Sequence, residues 1–206
     1  MIVAFEGLPG AGKTTTARML AARLQTACVI ESTHDHPFLD SVYRDDARHD
    51  LEVELAFLLL HANAWRAIDR DAVTVTDFTR VKDLLFARDM LTVAEDLDVF
   101  KRAYSRLHQG SADADVVIYL RASPELALER VRGRYKLDSH RLFETSMELE
   151  RLRRIEAQYE AQHDDLGRRV LDLELAELLQ PDEDAQNSKD RVADAALELL
   201  APHLPH

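Results

Sequence analysis

The chain has 206 residues, with 26 Lys and Arg against 38 Asp and Glu, for a formal net charge of −12. That length suits one well-filled core, and 46% hydrophobic with 31% charged residues is ordinary for a water-soluble globular domain. The negative balance excludes a general affinity for nucleic-acid backbone or an anionic membrane, and no run approaches the roughly 18 apolar residues of a membrane helix.

Cys28 is the lone cysteine, so no intrachain disulfide forms and a reducing cytoplasm is the expected setting. No basic region precedes the first apolar run, so a cleaved signal peptide is not expected. Ile2, Val3, Ala4 and Phe5 predict a short buried strand. Met19, Leu20, Ala22 and Leu24 predict the apolar face of a helix beginning near Lys13. Between them, Gly7, Gly12, Lys13 and Thr14 fit the pattern G-x-x-x-x-G-K-[ST], in the strand and helix context that this pattern requires. Glycines suit such a loop because several backbone N–H groups must converge on one anion, and the helix N-terminus adds partial positive charge. Gly7, Leu8, Pro9, Gly10, Ala11, Gly12, Lys13, Thr14 and Thr15 are therefore read as the phosphate cradle for a nucleoside triphosphate. Lys13 would reach the β- and γ-phosphates, and the Thr14 hydroxyl would ligate Mg²⁺.

Ala27 to Ile30 predicts a second strand that delivers Glu31 to its carboxyl end, where ligands of open α/β sheets gather. In the polar loop that follows, His34 and His36 flank Asp35 and read as solvated histidines rather than metal ligands. Pro37 opens a short helical segment through Tyr43. Leu51, Leu55, Leu58, Leu59 and Ala62 recur at helical spacing and predict a long amphipathic helix from Asp50 to about Arg70. Asp71 marks a turn, and Val73 to Thr76 predicts a third strand with Asp77 at its end. A helix carrying Val81, Leu84, Leu85, Ala87 and Leu91 on one face follows, then another from Glu95 to about His108.

Val116 to Leu120 is the clearest buried strand, and Ser123-Pro124 predicts a helix start with Ser123 as N-cap. That helix runs into Arg130, Arg132, Gly133 and Arg134, a basic cluster in an acidic chain. Leu137 to about Gln162 reads as helix, Val170 to Leu173 as a fifth strand, Pro181 to Ser188 as a polar loop, and Lys189 to Leu200 as the last helix. Alternating strands and helices imply an α/β fold of the P-loop NTPase kind: a five-stranded parallel sheet with helices on both faces, in one domain over residues 1–206.

A phosphate loop alone does not say what happens to the triphosphate. Glu31 and Asp77 sit at the ends of separate predicted strands, on the same edge as the loop. For transfer to a hydroxyl, one acid should hold Mg²⁺ and the other should orient or deprotonate the acceptor. Glu31 suits the base because it leads into the acceptor-side loop, and Asp77 suits the metal. The arginines would stabilise charge on the transferring group from a lid near residues 130–140.

At this point the chain resembles the deoxynucleoside kinases, relatives of thymidylate kinase. The likeness runs from Phe5-Glu6-Gly7 to about Tyr159, through Glu31, His36-Pro37-Phe38-Leu39, Tyr43, Leu51 to Leu59, Val75-Thr76-Asp77, Leu85-Phe86-Ala87, Asp115 to Leu120, Ala122 to Glu125 and Arg132-Gly133-Arg134. The resemblance implies an ATP- and Mg²⁺-dependent kinase that phosphorylates the 5′-hydroxyl of a deoxynucleoside, a purine one by its likeness to bacterial deoxyadenosine and deoxyguanosine kinases. It makes Glu31 the base, Asp77 a Mg²⁺ ligand and Tyr43 a partner of the deoxyribose 3′-hydroxyl. Glu54 stands at a base-reading position usually held by Gln, Asp83 lies near the nucleobase, and Arg132 and Arg134 are lid arginines. The family's helix-packed homodimer would suit the long helices.

Several positions depart from the family pattern. Phe78 stands where an Arg usually follows the acid, leaving a positive charge missing or supplied by Arg80 or Lys82. His61 replaces an Arg near the base, and the acid expected soon after Arg134 is absent unless Asp138 takes its place. Two other readings compete: a nucleoside monophosphate kinase of the thymidylate kinase type, which lacks its phosphate-holding Arg here, and a non-catalytic ATP-binding sensor.

Overall fold

In the computed structural model, which describes residues 1–33, 35–38, 49–134, 147–180 and 184–205, five strands lie parallel in the order β2-β3-β1-β4-β5. They are β1 (Ile2–Glu6), β2 (Ala27–Val29), β3 (Thr74–Thr76), β4 (Val116–Arg121) and β5 (Val170–Glu174). β1 is central, pairing Ala4 with Thr76 of β3 on one side and with Val117 of β4 on the other. A strand in that position is covered on both faces, which is why all five residues of β1 are buried.

The helices are α1 (Lys13–Leu24), α2 (Asp50–Arg66), α3 (Arg80–Met90), α4 (Ala94–Leu107), α5 (Pro124–Arg134), α6 (Leu149–Ala161), α7 (Leu175–Leu178) and α8 (Ala185–Leu200). Alternate strand residues serve different layers. Val3, Phe5, Ile118 and Leu120 pack with Ala17 and Leu20 of α1 and with Val192 and Leu200 of α8. Ile2, Ala4, Val117 and Tyr119 pack with Trp65 of α2, Leu85 of α3, Ala127 of α5 and Leu152, Ile155 and Tyr159 of α6. Leu58, Ala87, Leu91 and Phe100 form a smaller core beneath α4. The three-layer α/β arrangement expected from the sequence is present. Among the described residues, no helix is long and apolar enough to cross a membrane.

Three boundaries differ from the sequence reading by more than one residue. α2 stops at Arg66 rather than near Arg70, because the Asp69 carboxylate accepts a hydrogen bond from Asp71 N at 2.9 Å, an Asx turn that carries the chain out of helix. The last helix begins at Ala185, four residues before the expected start, because the Asp184 carboxylate accepts from Gln186 N at 2.8 Å and caps the first turn. Glu148 is extended, so α6 starts at Leu149. The predicted helical stretches 37–43 and 137–146 lie mostly or wholly outside the described residues, as do His34, Tyr43 and Asp138.

The parallel topology sends the carboxyl ends of β1, β2 and β3 to one edge, so the phosphate loop, Glu31 and Asp77 emerge side by side.

Candidate active site

The loop between β1 and α1 is shaped by what glycine allows. Gly10 has φ +93°, and a Cβ there would sit 2.4 Å from the carbonyl oxygen of Ala127 in α5. Gly12, with φ +100°, precedes α1 and faces open space, so backbone N–H groups are uncovered at a helix N-terminus. Gly7 and Leu8 lie behind the loop, offering their carbonyl oxygens to Lys13 Nζ at 2.7 and 3.0 Å. Burial, with the Lys82 charge second, pulls the Lys13 ammonium down to about 8. Pro9, Gly10, Ala11, Gly12, Lys13, Thr14 and Thr15 line a cavity of about 1240 Å³ that continues past Glu31 into a pocket between α2, α3 and α6.

Thr14 Oγ1 donates to Asp77 Oδ2 at 2.5 Å, while Asp77 Oδ1 accepts from Glu31 N at 2.8 Å. Asp77 therefore ties the phosphate loop to the end of β2. Thr14 and Asp77 are adjacent hard oxygen donors, a set that fits Mg²⁺, which takes one or two protein ligands and fills the rest with phosphate and water.

Around Glu31 the charges alternate. Both its carboxylate oxygens accept from Lys82 Nζ at 2.7 Å, and His61 Nε2 stands 3.0 Å from Oε1 as an ion pair rather than an aligned hydrogen bond. Burial pushes the Glu31 carboxyl up, but Lys82 and His61 outweigh it and hold it well below the usual carboxylate range. His61 Nδ1 lies 2.5 Å from Asp83 Oδ1. Burial disfavours the imidazolium, yet Asp83 and then Glu31 raise it to about 10, so His61 is a cation joining two carboxylates. His108 Nε2 stands 3.9 Å beyond, at Asp83 Oδ2.

Glu54 and Asp83 are buried side chains lining the pocket, with Val53, Phe57, Phe86, Met90 and Arg151. Burial, reinforced by the Asp83 charge, lifts the Glu54 carboxyl to about 8. Arg151 is anchored by its Nε to Asp89 Oδ2 at 2.9 Å.

The structure separates the two cations that the sequence left open. Arg80 pairs with Asp113, whereas Lys82 turns inward to Glu31. Phe78 is fully buried, stacked on His61 at 4.5 Å between ring centroids and 5.9 Å from Trp65. A positive charge placed there would be cut off from water and would lie against the His61 imidazolium. Phe78→Arg is expected to lower the unfolding free energy by more than about 3 kcal/mol in denaturant melts, with no gain in turnover.

Of the basic cluster, Arg130, Gly133 and Arg134 line the cavity, while Arg132 is exposed and does not. His36 is not a solvated loop histidine: it is 6% exposed, its Nε2 lies 3.0 Å from Val53 O, and its ring packs 4.0 Å from Phe57. The sequence reading gave no role to Glu6, which is fully buried and accepts from Thr79 N at 2.6 Å and Tyr159 Oη at 2.7 Å. An acid inside an otherwise apolar strand was the available signal. It also missed Arg151 and three further cavity-lining residues, Arg18, Gln180 and Lys189, for which no local pattern exists.

A family model for deoxynucleoside kinases matches residues 3–199. The chain belongs to the deoxynucleoside kinase family. This kinase is 28% identical to the deoxyguanosine kinase of Bacillus subtilis over 163 residues, 77% of this chain and 76% of that one. It is 27% identical to the deoxyadenosine kinase of Dictyostelium discoideum over 194 residues, 91% and 77% respectively. A deoxyadenosine kinase from M. mycoides, solved with bound dCTP, superposes with a TM-score of 0.74 at 18% identity, over 96% of this chain and all of that one. The chain is thus a phosphotransferase acting on nucleosides, and the non-catalytic reading is set aside.

Proposed function

We propose that this kinase transfers the γ-phosphoryl group of ATP to the 5′-hydroxyl of a purine deoxynucleoside. The observation that supports it is the junction at Glu31 and Asp77, where one cavity runs from the phosphate loop into a second, buried pocket. The loop amides and Lys13 hold the β- and γ-phosphates. Thr14 and Asp77 would hold Mg²⁺, which when bound would neutralise phosphate charge. Glu31 orients the acceptor hydroxyl and takes its proton as the bond to phosphorus forms. Arg130 and Arg134 meet the charge that builds on the transferring group, and Arg132 contributes only if the helix end rearranges when substrates bind. Residues 1–206 act as one unit, with the lid near residues 130–140. Tyr43, outside the described residues, completes the sugar contacts.

Purine preference is supported by the names of the relatives and by Glu54. Below about pH 8 the Glu54 carboxyl is protonated and presents one donor and one acceptor, as a Gln amide would; above it, two acceptors and a charge. Burial and then the Asp83 charge raise that value, against the opposing charges of Arg151, Lys82 and His61. The acceptor KM is expected to rise between pH 7 and pH 9, and Glu54→Gln to match the native KM at pH 7 and flatten the rise.

The reading is tested by supplying γ-labelled ATP with a panel of nucleosides and nucleoside monophosphates. Label should enter the 5′-monophosphate of deoxyadenosine or deoxyguanosine, with kcat/KM for pyrimidine deoxynucleosides lower by about tenfold or more. Turnover confined to monophosphates would transfer the assignment to the thymidylate kinase type.

A further inference from the structure

The cation on Glu31 comes from an unexpected place. Lys82 lies in the first turn of α3, whose other buried side chains are Asp83, which lines the pocket, and the core residues Leu85 and Ala87. Lys82 is buried, 8% exposed, and its ammonium reaches both oxygens of Glu31 at the same 2.7 Å. The ammonium stands over the ring of Phe86, 5.5 Å from its centroid. Glu6 and Asp77 are close enough to add attraction, so the lysine is held charged in spite of its burial.

An ammonium shared equally between two carboxylate oxygens holds the carboxylate in place through two charge-assisted hydrogen bonds, which are shorter and stronger than those from a neutral donor. One lone pair on each oxygen remains, and His61 stands over Oε1. Glu31 lines the cavity, where an acceptor hydroxyl must arrive.

We propose that Lys82 is a positioning residue for phosphoryl transfer, fixing the orientation of Glu31 toward the acceptor hydroxyl. The inference rests on the kinase reading above. In the step it serves, the acceptor O–H bond breaks and its proton passes to Glu31. The oxygen's electron pair forms the new O–P bond, and the bond to the leaving diphosphate breaks with its pair going to the diphosphate. Lys82 neither gains nor loses a proton. It keeps the accepting oxygen aimed while charge moves from Glu31 to the leaving group, and so affects turnover rather than donor binding.

Three variants test this: Lys82→Met, Lys82→Arg and the pair Glu31→Gln with Lys82→Met, each with ATP and the acceptor found by the panel. Lys82→Met should lower kcat about 100-fold or more, by analogy with removing the group that orients a catalytic base, with the ATP KM within about threefold. Lys82→Arg should recover most of that loss because it keeps a charged donor on the carboxylate. The double variant should be no slower than Glu31→Gln alone, since an orienting group has nothing left to orient.

A Lys82→Met enzyme with native kcat, or a double variant slower than Glu31→Gln by a further large factor, overturns the inference. If Lys82→Met leaves the Glu31 charge too poorly paired to fold, the double variant carries neither charge and Lys82→Arg carries both. Lys82→Arg without recovery then overturns it. Native turnover in Glu31→Gln would instead remove the kinase mechanism on which the inference rests.

Discussion

Glu31→Gln is expected to lower kcat about 10²- to 10⁴-fold while leaving ATP binding unchanged, read by initial rates and by ATP-induced thermal stabilisation. The amide has the carboxylate's shape but cannot take the acceptor's proton, so the loss falls on the chemical step. The fold should survive. His61 keeps its 2.5 Å contact with Asp83, and Lys82 keeps the attraction of Glu6 and Asp77, so neither cation is stranded. Acceptor binding should change little, because Glu54, Asp83 and the apolar walls of the pocket remain. If Glu31→Gln turns over at the native rate, Glu31 is not the base.

Lys13→Ala should fail differently, losing about 10²- to 10³-fold in kcat/KM together with a weaker ATP KM. In the free protein Lys13 lies over its own loop, bonded to the carbonyls of Gly7 and Leu8, with its affinity for a proton reduced by burial and by Lys82. An arriving phosphate gives that ammonium a full counter-charge in a poorly solvated place, so the interaction is strong in the bound state and stronger as charge shifts in transfer. Calorimetric titration with ATP separates the two variants: Lys13→Ala should bind weakly and Glu31→Gln normally. A Lys13→Ala protein with native affinity and turnover would place the triphosphate elsewhere.

The two variants probe parts of the site that were unequally legible in the amino-acid chain. The loop is local: its glycines, Lys13 and Thr14 are contiguous, and their conformations follow from Gly10 and Gly12 accepting a left-handed backbone. Glu31 and Asp77 could be placed because a strand tip in a parallel sheet has one destination. Glu54 and Asp83 could be found only by resemblance. The ends of α2 and α8 were misplaced because Asp69 and Asp184 act through hydrogen bonds two residues away, which hydrophobic periodicity does not register. His36 read as solvated since nothing near it in sequence shows that α2 covers it.

By itself, the order of residues determined the alternation of strands and helices, the parallel sheet and the phosphate loop, since each depends on neighbours within a few positions. Tertiary structure alone decided which cation serves Glu31. Arg80 and Lys82 are two apart on one helix and so point about 160° apart around its axis. Only the packing of α3 against α2 and α6 sends Lys82 to Glu31 and Arg80 to Asp113. The same packing buries Phe78 and makes His61 an imidazolium between two acids, because removing water strengthens each charge's dependence on the groups that happen to face it.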